Sequence, residues 1–131
     1  NIKKAQFLDG KDMIYPVNKV KDQKNEMIML TERGTMFGTG NLVVDFRQII
    51  DMKELGFPVI LDVTHSTQKP GSLDGKSGGD RKYAPFLTAM GKSLGVDGFF
   101  FEIHPDPETA LSDGPNMIYM HEFENILKLI N

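Results

Sequence analysis

Three residues of metal-ligand type stand out in the sequence: His65, Glu102 and Asp113. His65 and Glu102 follow neighbouring predicted strands, so their side chains can converge at one edge of a sheet. One imidazole and two carboxylates would hold a divalent cation and leave positions for water, substrate or a fourth ligand. Spacing leaves a second interpretation open, in which His65 is a hydrogen-bonded loop histidine and Asp113 forms a turn before Gly114-Pro115.

Two cationic residues also lie at the ends of predicted strands. Lys3 ends the first predicted strand, and Arg33 lies in Glu32-Arg33-Gly34 at the mouth of another. A planar guanidinium can bind phosphate or carboxylate through two parallel hydrogen bonds. Charged residues at strand ends are usually just solvated, so either cation alone would mean little. Several cations around three possible metal ligands favour a phosphorylated, anionic substrate.

A glycine-rich segment, Lys76-Ser77-Gly78-Gly79, precedes a helix predicted to begin near 80–83. Small residues there would let backbone N–H groups approach an anion at a helix N-terminus, with the Ser77 hydroxyl as an added donor. The segment is not a Walker motif. Taken alone, such a segment is more often a flexible connector.

The stretch from Pro58 to Gly71 organises the predicted fold. Its apolar first half, at 59–63, is typical of a strand buried on both faces, and its second half turns polar. Ligands of parallel α/β sheets bind at the carboxyl ends of the strands, which makes Asp62, His65 and Gln68 the first candidates for chemistry.

Strands and helices alternate on either side of this stretch. Further strands are predicted to end near Lys3 and to span 26–30 and 98–103, the last cut off by His104-Pro105, where a strand-end role suits His104 better than a ligand role. Helices are predicted at 11–25, 42–55 and 83–94, with Phe86, Leu87, Met90 and Leu94 on one side of the third, and a last helix contains Phe123, Ile126, Leu127 and Ile130. The segments 31–40 and 69–80 are predicted loops.

The spacing of these elements is close to the roughly 30 residues of a βαβ unit, which predicts a parallel sheet covered by helices. Four such strands with polar carboxyl ends correspond to half of a (β/α)8 barrel, a fold that typically needs about 250 residues. We therefore expect residues 1–131 to be a single domain and half of a barrel. The opening segment Asn1 to Leu8 resembles the end of a strand, so we expect a fragment.

Composition excludes several classes of partner. With 131 residues and a net charge of -3, the chain offers one globular domain without a basic face for nucleic acid or an anionic membrane. It contains no cysteine, so it cannot build a disulfide or a thiolate metal site alone. Neither an apolar run of roughly 20 residues nor a signal-peptide core is present. We expect a soluble, cytoplasmic protein.

Seven motifs in a fixed order carry a more specific signal. They are Asn1-Ile2-Lys3-Lys4-Ala5-Gln6-Phe7, Glu32-Arg33-Gly34, Asn41-Leu42-Val43-Val44-Asp45, Asp62-Val63-Thr64-His65-Ser66-Thr67-Gln68, Lys76-Ser77-Gly78-Gly79, Glu102-Ile103-His104-Pro105-Asp106-Pro107-Glu108 and Ser112-Asp113-Gly114-Pro115. Together they closely resemble the C-terminal half of the 3-deoxy-D-manno-octulosonate 8-phosphate synthases.

This resemblance implies a (β/α)8 barrel, usually a homotetramer, that condenses phosphoenolpyruvate with D-arabinose 5-phosphate and releases inorganic phosphate. The product feeds lipopolysaccharide synthesis in Gram-negative bacteria. Such a transferase would be active only as the complete barrel. Two alternatives are a related synthase that uses erythrose 4-phosphate and a non-catalytic half-barrel that binds phosphorylated ligands.

Roles for individual residues also follow from the resemblance. Lys3 and Arg33 would bind phosphoenolpyruvate, with Lys3 chosen over Lys4 because it aligns with the single lysine at this strand end in related heptulosonate-phosphate synthases. Gln68 would lie near the substrates. Ser77 would contact the phosphate of arabinose 5-phosphate.

In the metal-dependent members, His65, Glu102 and Asp113 would be three of four ligands for a divalent metal such as zinc, iron or manganese. The fourth is a cysteine in the N-terminal half, whereas metal-independent members keep the three residues and place asparagine there. The motifs around Arg33 and His65 are typical of the metal-dependent type, and the one around Asp113 of the other. We expect metal dependence, with Lys3 and His65 as the catalytic residues.

Overall fold

The computed structural model describes residues 1–131, apart from the side chains of Leu73 and Lys76. Its elements in chain order are β1 (Ile2–Lys3), α1 (Ile14–Lys21), β2 (Leu30–Glu32), α2 (Phe46–Glu54), β3 (Val59–Asp62), α3 (Val63–Ser66), β4 (Gln68–Leu73), β5 (Lys76–Gly79), α4 (Ala84–Ser93), β6 (Gly98–Phe100), β7 (Ile103–His104), β8 (Ile118–Tyr119) and α5 (Met120–Ile130). Short 3-10 helices span Lys11–Met13, Arg81–Tyr83 and Pro107–Thr109. None of the described helices is long and apolar enough to cross a membrane.

Strands β1, β2, β3 and β6 form one parallel sheet in the order of the chain. Its register pairs Lys3 with Thr31, Thr31 with Ile60, and Ile60 with Gly98. Parallel neighbours that are each joined through a helix make the βαβ arrangement predicted from the sequence. The predicted α/β class is confirmed, and the sheet with its helices fits a TIM-barrel-type fold.

One face of this sheet builds the hydrophobic core. Leu30, Val59 and Leu61 are fully buried there, and the helices contribute Val17 and Ile49 to the same cluster. Alternate residues along each strand point to the opposite face. On that side the strands end in polar side chains, so the functional groups lie away from the helical layer.

Helix α4 lies close to the sheet because it turns small residues towards it. Ala84 and Gly91 are among its buried residues, and a Cβ at Gly91 would lie 2.8 Å from a methyl carbon of Leu61. Phe86 and Met90, which the helical spacing predicts on one side of the helix, are 66% and 48% exposed. Larger side chains do not fit where the helix meets the strand, so Ala84 and Gly91 make that contact instead.

Strand β2 is displaced from its predicted position at 26–30. It spans Leu30–Glu32, so its last residues belong to the sheet rather than to the following loop. The Glu32 carboxylate lies 3.6 Å from the ammonium of Lys4, and both side chains are fully buried. This internal ion pair compensates for the cost of placing a carboxylate in a buried strand.

The predicted loop at 69–80 is largely an antiparallel hairpin of β4 and β5, in which Gln68 pairs with Gly79. Asp74 and Gly75 have φ angles of 45° and 84° at its tip. Two successive residues with positive φ are the signature of a type I′ turn, and Asp-Gly is a favoured sequence for it. The sequence therefore contained a hairpin signal that our prediction overlooked.

The remaining differences concern the ends of elements. Helix α2 begins at Phe46 rather than at 42, because the Asp45 carboxylate caps it by accepting a hydrogen bond from Arg47 N at 3.1 Å. Helix α1 ends well before 25, since Lys24 adopts a left-handed φ of 61°. The strand predicted at 98–103 divides into β6, which pairs with β3, and β7, which pairs with β8.

Candidate active site at the carboxyl ends of the strands

The three residues of metal-ligand type come together in the structure. His65 lies in α3 directly after β3, Glu102 follows β6, and Asp113 lies in the loop before β8. One ligand atom from each residue lies within 4.8 Å of the other two, and His65 Nε2 is 3.6 Å from Glu102 Oε1. We call these three residues the ligand cluster. Three separate segments thus contribute to one site.

A buried aspartate orients the histidine. Asp62 ends β3 and caps α3, since its Oδ1 accepts a hydrogen bond from His65 N at 2.9 Å. Its Oδ2 lies 2.8 Å from His65 Nδ1. An ionised carboxylate only accepts hydrogen bonds, so the neutral imidazole carries its proton on Nδ1. The lone pair of Nε2 is then left on the side of Glu102, where a metal ligand requires it.

The same carboxylate holds Lys3. Lys3 Nζ lies 2.6 Å from Asp62 Oδ2 and 3.5 Å from His65 Nδ1, and it sits 4.7 Å from the centre of the Phe100 ring. Burial acts to raise the pKa of Asp62, but the hydrogen bonds from His65 and Lys3 outweigh it and hold this pKa below its ordinary value. Asp62 therefore stays ionised at neutral pH.

Lys4 faces a different environment from its neighbour. Its buried ammonium donates to the carbonyl oxygens of Ala5 and Leu8 at 3.2 Å each and to Thr35 Oγ1 at 3.3 Å. The Lys3 side chain, by contrast, is 36% exposed. Lys3 is therefore the lysine that a ligand can reach, while Lys4 stabilises the backbone after β1 through its hydrogen bonds.

Arg33 reaches the ligand cluster through a chain of hydrogen bonds. Its Nη2 donates to Gln68 Oε1, and Gln68 Nε2 donates to Asp113 Oδ1 at 2.7 Å. Burial lowers the pKa of the Arg33 guanidinium, an effect opposed by the charges of Asp62, Asp113 and Glu32. Among the described residues, Arg33 Nε is buried without a hydrogen-bond partner. A bound anion would satisfy this donor.

The turn after β2 aims Arg33 into the site. Glu32 Oε1 accepts a hydrogen bond from Gly34 N at 2.7 Å. Gly34 has a φ of 87°, and a Cβ there would lie 3.0 Å from Leu42 Cβ, so glycine suits both the conformation and the space. Burial raises the pKa of Glu32, and the nearby Lys4 ammonium partly offsets the shift.

Ser77 lies in β5, on a cavity of about 710 Å³ that is also lined by Gln68 and Asp113. The loop prediction is wrong here, because Ser77 and the following glycines form a strand, whereas the helical segment begins at Arg81, within the predicted range of 80–83. Packing requires a glycine at position 79, since a Cβ there would lie 1.4 Å from Asn116 Oδ1. The structure therefore places Ser77 on a strand facing this cavity.

Two fully buried polar residues near the site were missed by sequence analysis. Thr64 Oγ1 accepts a hydrogen bond from Glu102 N at 2.8 Å. Asn116 donates from its backbone N to Asp113 O at 2.8 Å, and its Oδ1 accepts from Thr67 Oγ1 at 3.1 Å. Both residues position the backbone of a cluster residue. Thr64 stands in the quoted motif around His65, but nothing in its spacing indicates this contact, and Asn116 belongs to none of the quoted motifs.

The donor set of the ligand cluster fits a divalent transition-metal ion. An imidazole nitrogen and carboxylate oxygens suit zinc, iron or manganese. Among the described residues, Glu102 Oε2 is buried without a hydrogen-bond partner, which is more typical of a ligand than of a structural carboxylate. His104, by contrast, accepts a hydrogen bond from Asp106 N at 3.1 Å through Nδ1 and has the strand-end role.

Comparison with known proteins finds relatives along the whole chain. The model of the DAHP synthetase I family matches residues 1–131. A curated protein named 2-dehydro-3-deoxyphosphooctonate aldolase, from Desulfatibacillum aliphaticivorans, is 54% identical over 127 residues, covering 97% of this chain and 46% of the relative.

Proteins with the same name from Fusobacterium nucleatum subsp. nucleatum and Cyanothece sp. are 50% and 48% identical over 129 and 128 residues. Each comparison covers 98% of this chain, and 46% and 47% of the respective relatives. The chain therefore spans about half the length of the curated relatives it matches.

Proposed function

The chain belongs to the DAHP synthetase I family, and from this premise we propose that it forms the C-terminal half of a 3-deoxy-D-manno-octulosonate 8-phosphate synthase. The proposed reaction condenses phosphoenolpyruvate with D-arabinose 5-phosphate, releases inorganic phosphate and serves lipopolysaccharide biosynthesis in the cytoplasm. The observation that carries the proposal is that Lys3 and Arg33 lie beside the ligand cluster at one sheet edge. The relatives named 2-dehydro-3-deoxyphosphooctonate aldolase, a name that denotes the same product, support these substrates.

The architecture proposed for the active protein is a complete (β/α)8 barrel. Residues 1–131 would form its second half as one domain. The four-stranded sheet has β1 and β6 at its edges, and closing a sheet into a barrel removes such edges. Barrels of this kind typically have about 250 residues, and the chain covers 46% of the Desulfatibacillum relative. Activity would then belong to the complete barrel, assembled as a homotetramer.

Substrate positioning is the first task assigned to the site. Formation of the carbon–carbon bond requires the enol carbon of phosphoenolpyruvate to contact the aldehyde of the pentose phosphate. Lys3 and Arg33 would bind the anionic groups of phosphoenolpyruvate. Ser77 would bind the phosphate of arabinose 5-phosphate from β5, with Gln68 near both substrates on the shared cavity wall. Contacts to two separate phosphates would align the reacting carbons.

The ligand cluster would hold zinc, iron or manganese, with a further ligand from outside this chain. Such a cation would supply Lewis-acid chemistry to the bound substrates. Asp62 keeps the proton on His65 Nδ1 and leaves Nε2 free as a ligand. Lys3 is hydrogen-bonded to the same carboxylate, and its ammonium would stabilise negative charge that develops on the substrates.

The test uses the complete protein that contains this chain. With phosphoenolpyruvate and arabinose 5-phosphate together, it is expected to release inorganic phosphate, and with either substrate alone it is not. A parallel assay replaces arabinose 5-phosphate by erythrose 4-phosphate and is expected to give little release. Preference for erythrose 4-phosphate would assign the chain to the related synthases, and correctly folded protein without turnover would favour a non-catalytic binding role.

A further inference from the structure

We propose that Arg81 is a positioning residue that sets the place of Asp113 in the ligand cluster. This inference rests on the proposed function, in which Asp113 is a metal ligand. Arg81 acts through the backbone carbonyl next to that ligand, and it comes from the segment that follows β5. It therefore joins the hairpin that carries Ser77 to the loop that carries Asp113.

Arg81 contacts both ends of the loop between β7 and β8 as well as β8 itself. Its Nη2 donates to Gly114 O at 3.0 Å and to Glu108 Oε1 at 2.7 Å. Its guanidinium carbon lies 4.7 Å from the centre of the Tyr119 ring, and the Tyr119 hydroxyl is 3.2 Å from the same Glu108 oxygen. A planar guanidinium can stack on a ring and donate in its own plane at the same time. One side chain therefore contacts two ends of the loop and the strand after it.

The loop between β7 and β8 needs such a constraint because of its backbone. Asp113 adopts a left-handed φ of 52°, which L-residues rarely occupy. The next residue, Gly114, approaches Pro107 so closely that a Cβ would lie 2.4 Å from the Pro107 carbonyl oxygen. The loop thus folds back on itself at the ligand, and the bond from Arg81 to Gly114 O holds the adjoining peptide in place.

The backbone that precedes Arg81 is held in place as well. It directly follows Asp80, whose N–H donates to Thr67 O at 3.1 Å at the base of the hairpin. Thr67 Oγ1 in turn donates to Asn116 Oδ1 at 3.1 Å. The hairpin and the ligand loop are therefore linked twice, and Arg81 provides the link next to Asp113.

Charge alone does not explain the position of Arg81. The Glu108 side chain is 69% exposed, and ion pairs with such exposed partners contribute little. Stacking on Tyr119 together with donation to Gly114 O requires the planar guanidinium of arginine. The ion pair with Glu108 requires only a positive charge. Arg81→Lys should therefore retain the ion pair and recover only part of the function lost in Arg81→Met.

The experiment compares Arg81→Met, Arg81→Lys and the control Lys82→Met in the complete protein. Lys82 is the next residue in the same helical turn, and its ammonium pairs with Asp80 at 3.0 Å rather than with the ligand loop. The dissociation constant for Mn²⁺ is measured by electron paramagnetic resonance of free Mn²⁺, and thermal unfolding verifies the fold. We expect about tenfold weaker binding in Arg81→Met, as for other residues that orient ligands, an intermediate value in Arg81→Lys and wild-type affinity in Lys82→Met.

A second readout applies if the wild-type protein binds no Mn²⁺. Arg81→Met should then lower kcat more than it changes the KM for phosphoenolpyruvate, because Lys3 is held by Asp62 and only Arg33 is linked to Asp113, through Gln68. Wild-type Mn²⁺ affinity in Arg81→Met overturns the proposal, as does unchanged kcat in a protein without metal. A lower melting temperature with unchanged affinity would show a purely structural role. Mn²⁺ binding is measured without substrates, so failure of the proposed reaction is recognised separately; a protein with neither binding nor turnover overturns both proposals.

Discussion

The carboxylate of Asp62 lies 2.8 Å from Nδ1 of His65, and this contact determines which imidazole nitrogen faces the ligand cluster. Asp62 is fully buried, and its other carboxylate oxygen caps α3, so Asp62 does not itself serve as a metal ligand. The last residue of β3 therefore fixes the ring orientation of His65 and determines which of its nitrogens carries the proton.

Asp62→Asn should weaken divalent-metal binding by roughly 10- to 100-fold, because the amide no longer holds the proton on Nδ1. Asp97→Asn is the matched control, since Asp97 accepts a hydrogen bond from Val59 N at 2.8 Å at the opposite end of β3. Titration of the complete protein with Mn²⁺ measures both variants. Equal affinity in the two variants would show that Asp62 does not orient His65.

Asp62 should also make stability depend on pH under acidic conditions. Its pKa is held below the ordinary value in the folded state, so it stabilises the fold above its unfolded pKa of about 3.9 and loses this contribution as the pH falls through the folded pKa. Glu32, whose pKa burial raises, has the opposite sign but is present in both proteins. Urea unfolding should show the stability difference between wild type and Asp62→Asn shrinking below about pH 4; a constant difference would contradict the assignment.

His65→Ala should reduce both the bound metal per subunit and the rate, whereas His104→Ala should leave both near wild type, because His104 accepts a hydrogen bond from Asp106 N outside the ligand cluster. Elemental analysis and the phosphate-release assay measure the two quantities. EDTA should abolish the activity of the wild-type protein, and acidic buffers should lower metal occupancy because histidine ligands must be unprotonated. Full activity of metal-free protein would place it among the metal-independent synthases.

The pair of Lys4 and Glu32 should be essential for stability, because both side chains are fully buried 3.6 Å apart. Removing one partner leaves the other charge buried alone, so Lys4→Met and Glu32→Gln should each lower the free energy of unfolding by about 3–5 kcal/mol. The double variant should lose less than the sum of the two. Lys82→Met, at an exposed ion pair, should leave stability nearly unchanged, and additive losses at Lys4 and Glu32 would contradict the coupling.

Local patterns predicted the parallel α/β fold and placed His65 and Glu102 at neighbouring strand ends, but they left open whether His65, Glu102 and Asp113 form a metal site. An apolar run before Asp62 and polar residues after it place chemistry at a strand end, and the same reasoning applies to Lys3 and Glu102. The roles of Thr64, Asn116 and Arg81 could not be predicted, because each depends on a contact between segments far apart in the sequence. The exposure of Phe86 could not be predicted either, since the space between α4 and β3 is set by packing rather than by periodicity.

The hairpin of β4 and β5 has a base packed beside the ligand cluster and an exposed tip. Its base is anchored beside the ligand cluster, where Gly79 packs on Asn116, while Asp74 and Gly75 at the tip are exposed. The exposed tip is therefore expected to accept insertions and substitutions that the packed base of the hairpin does not.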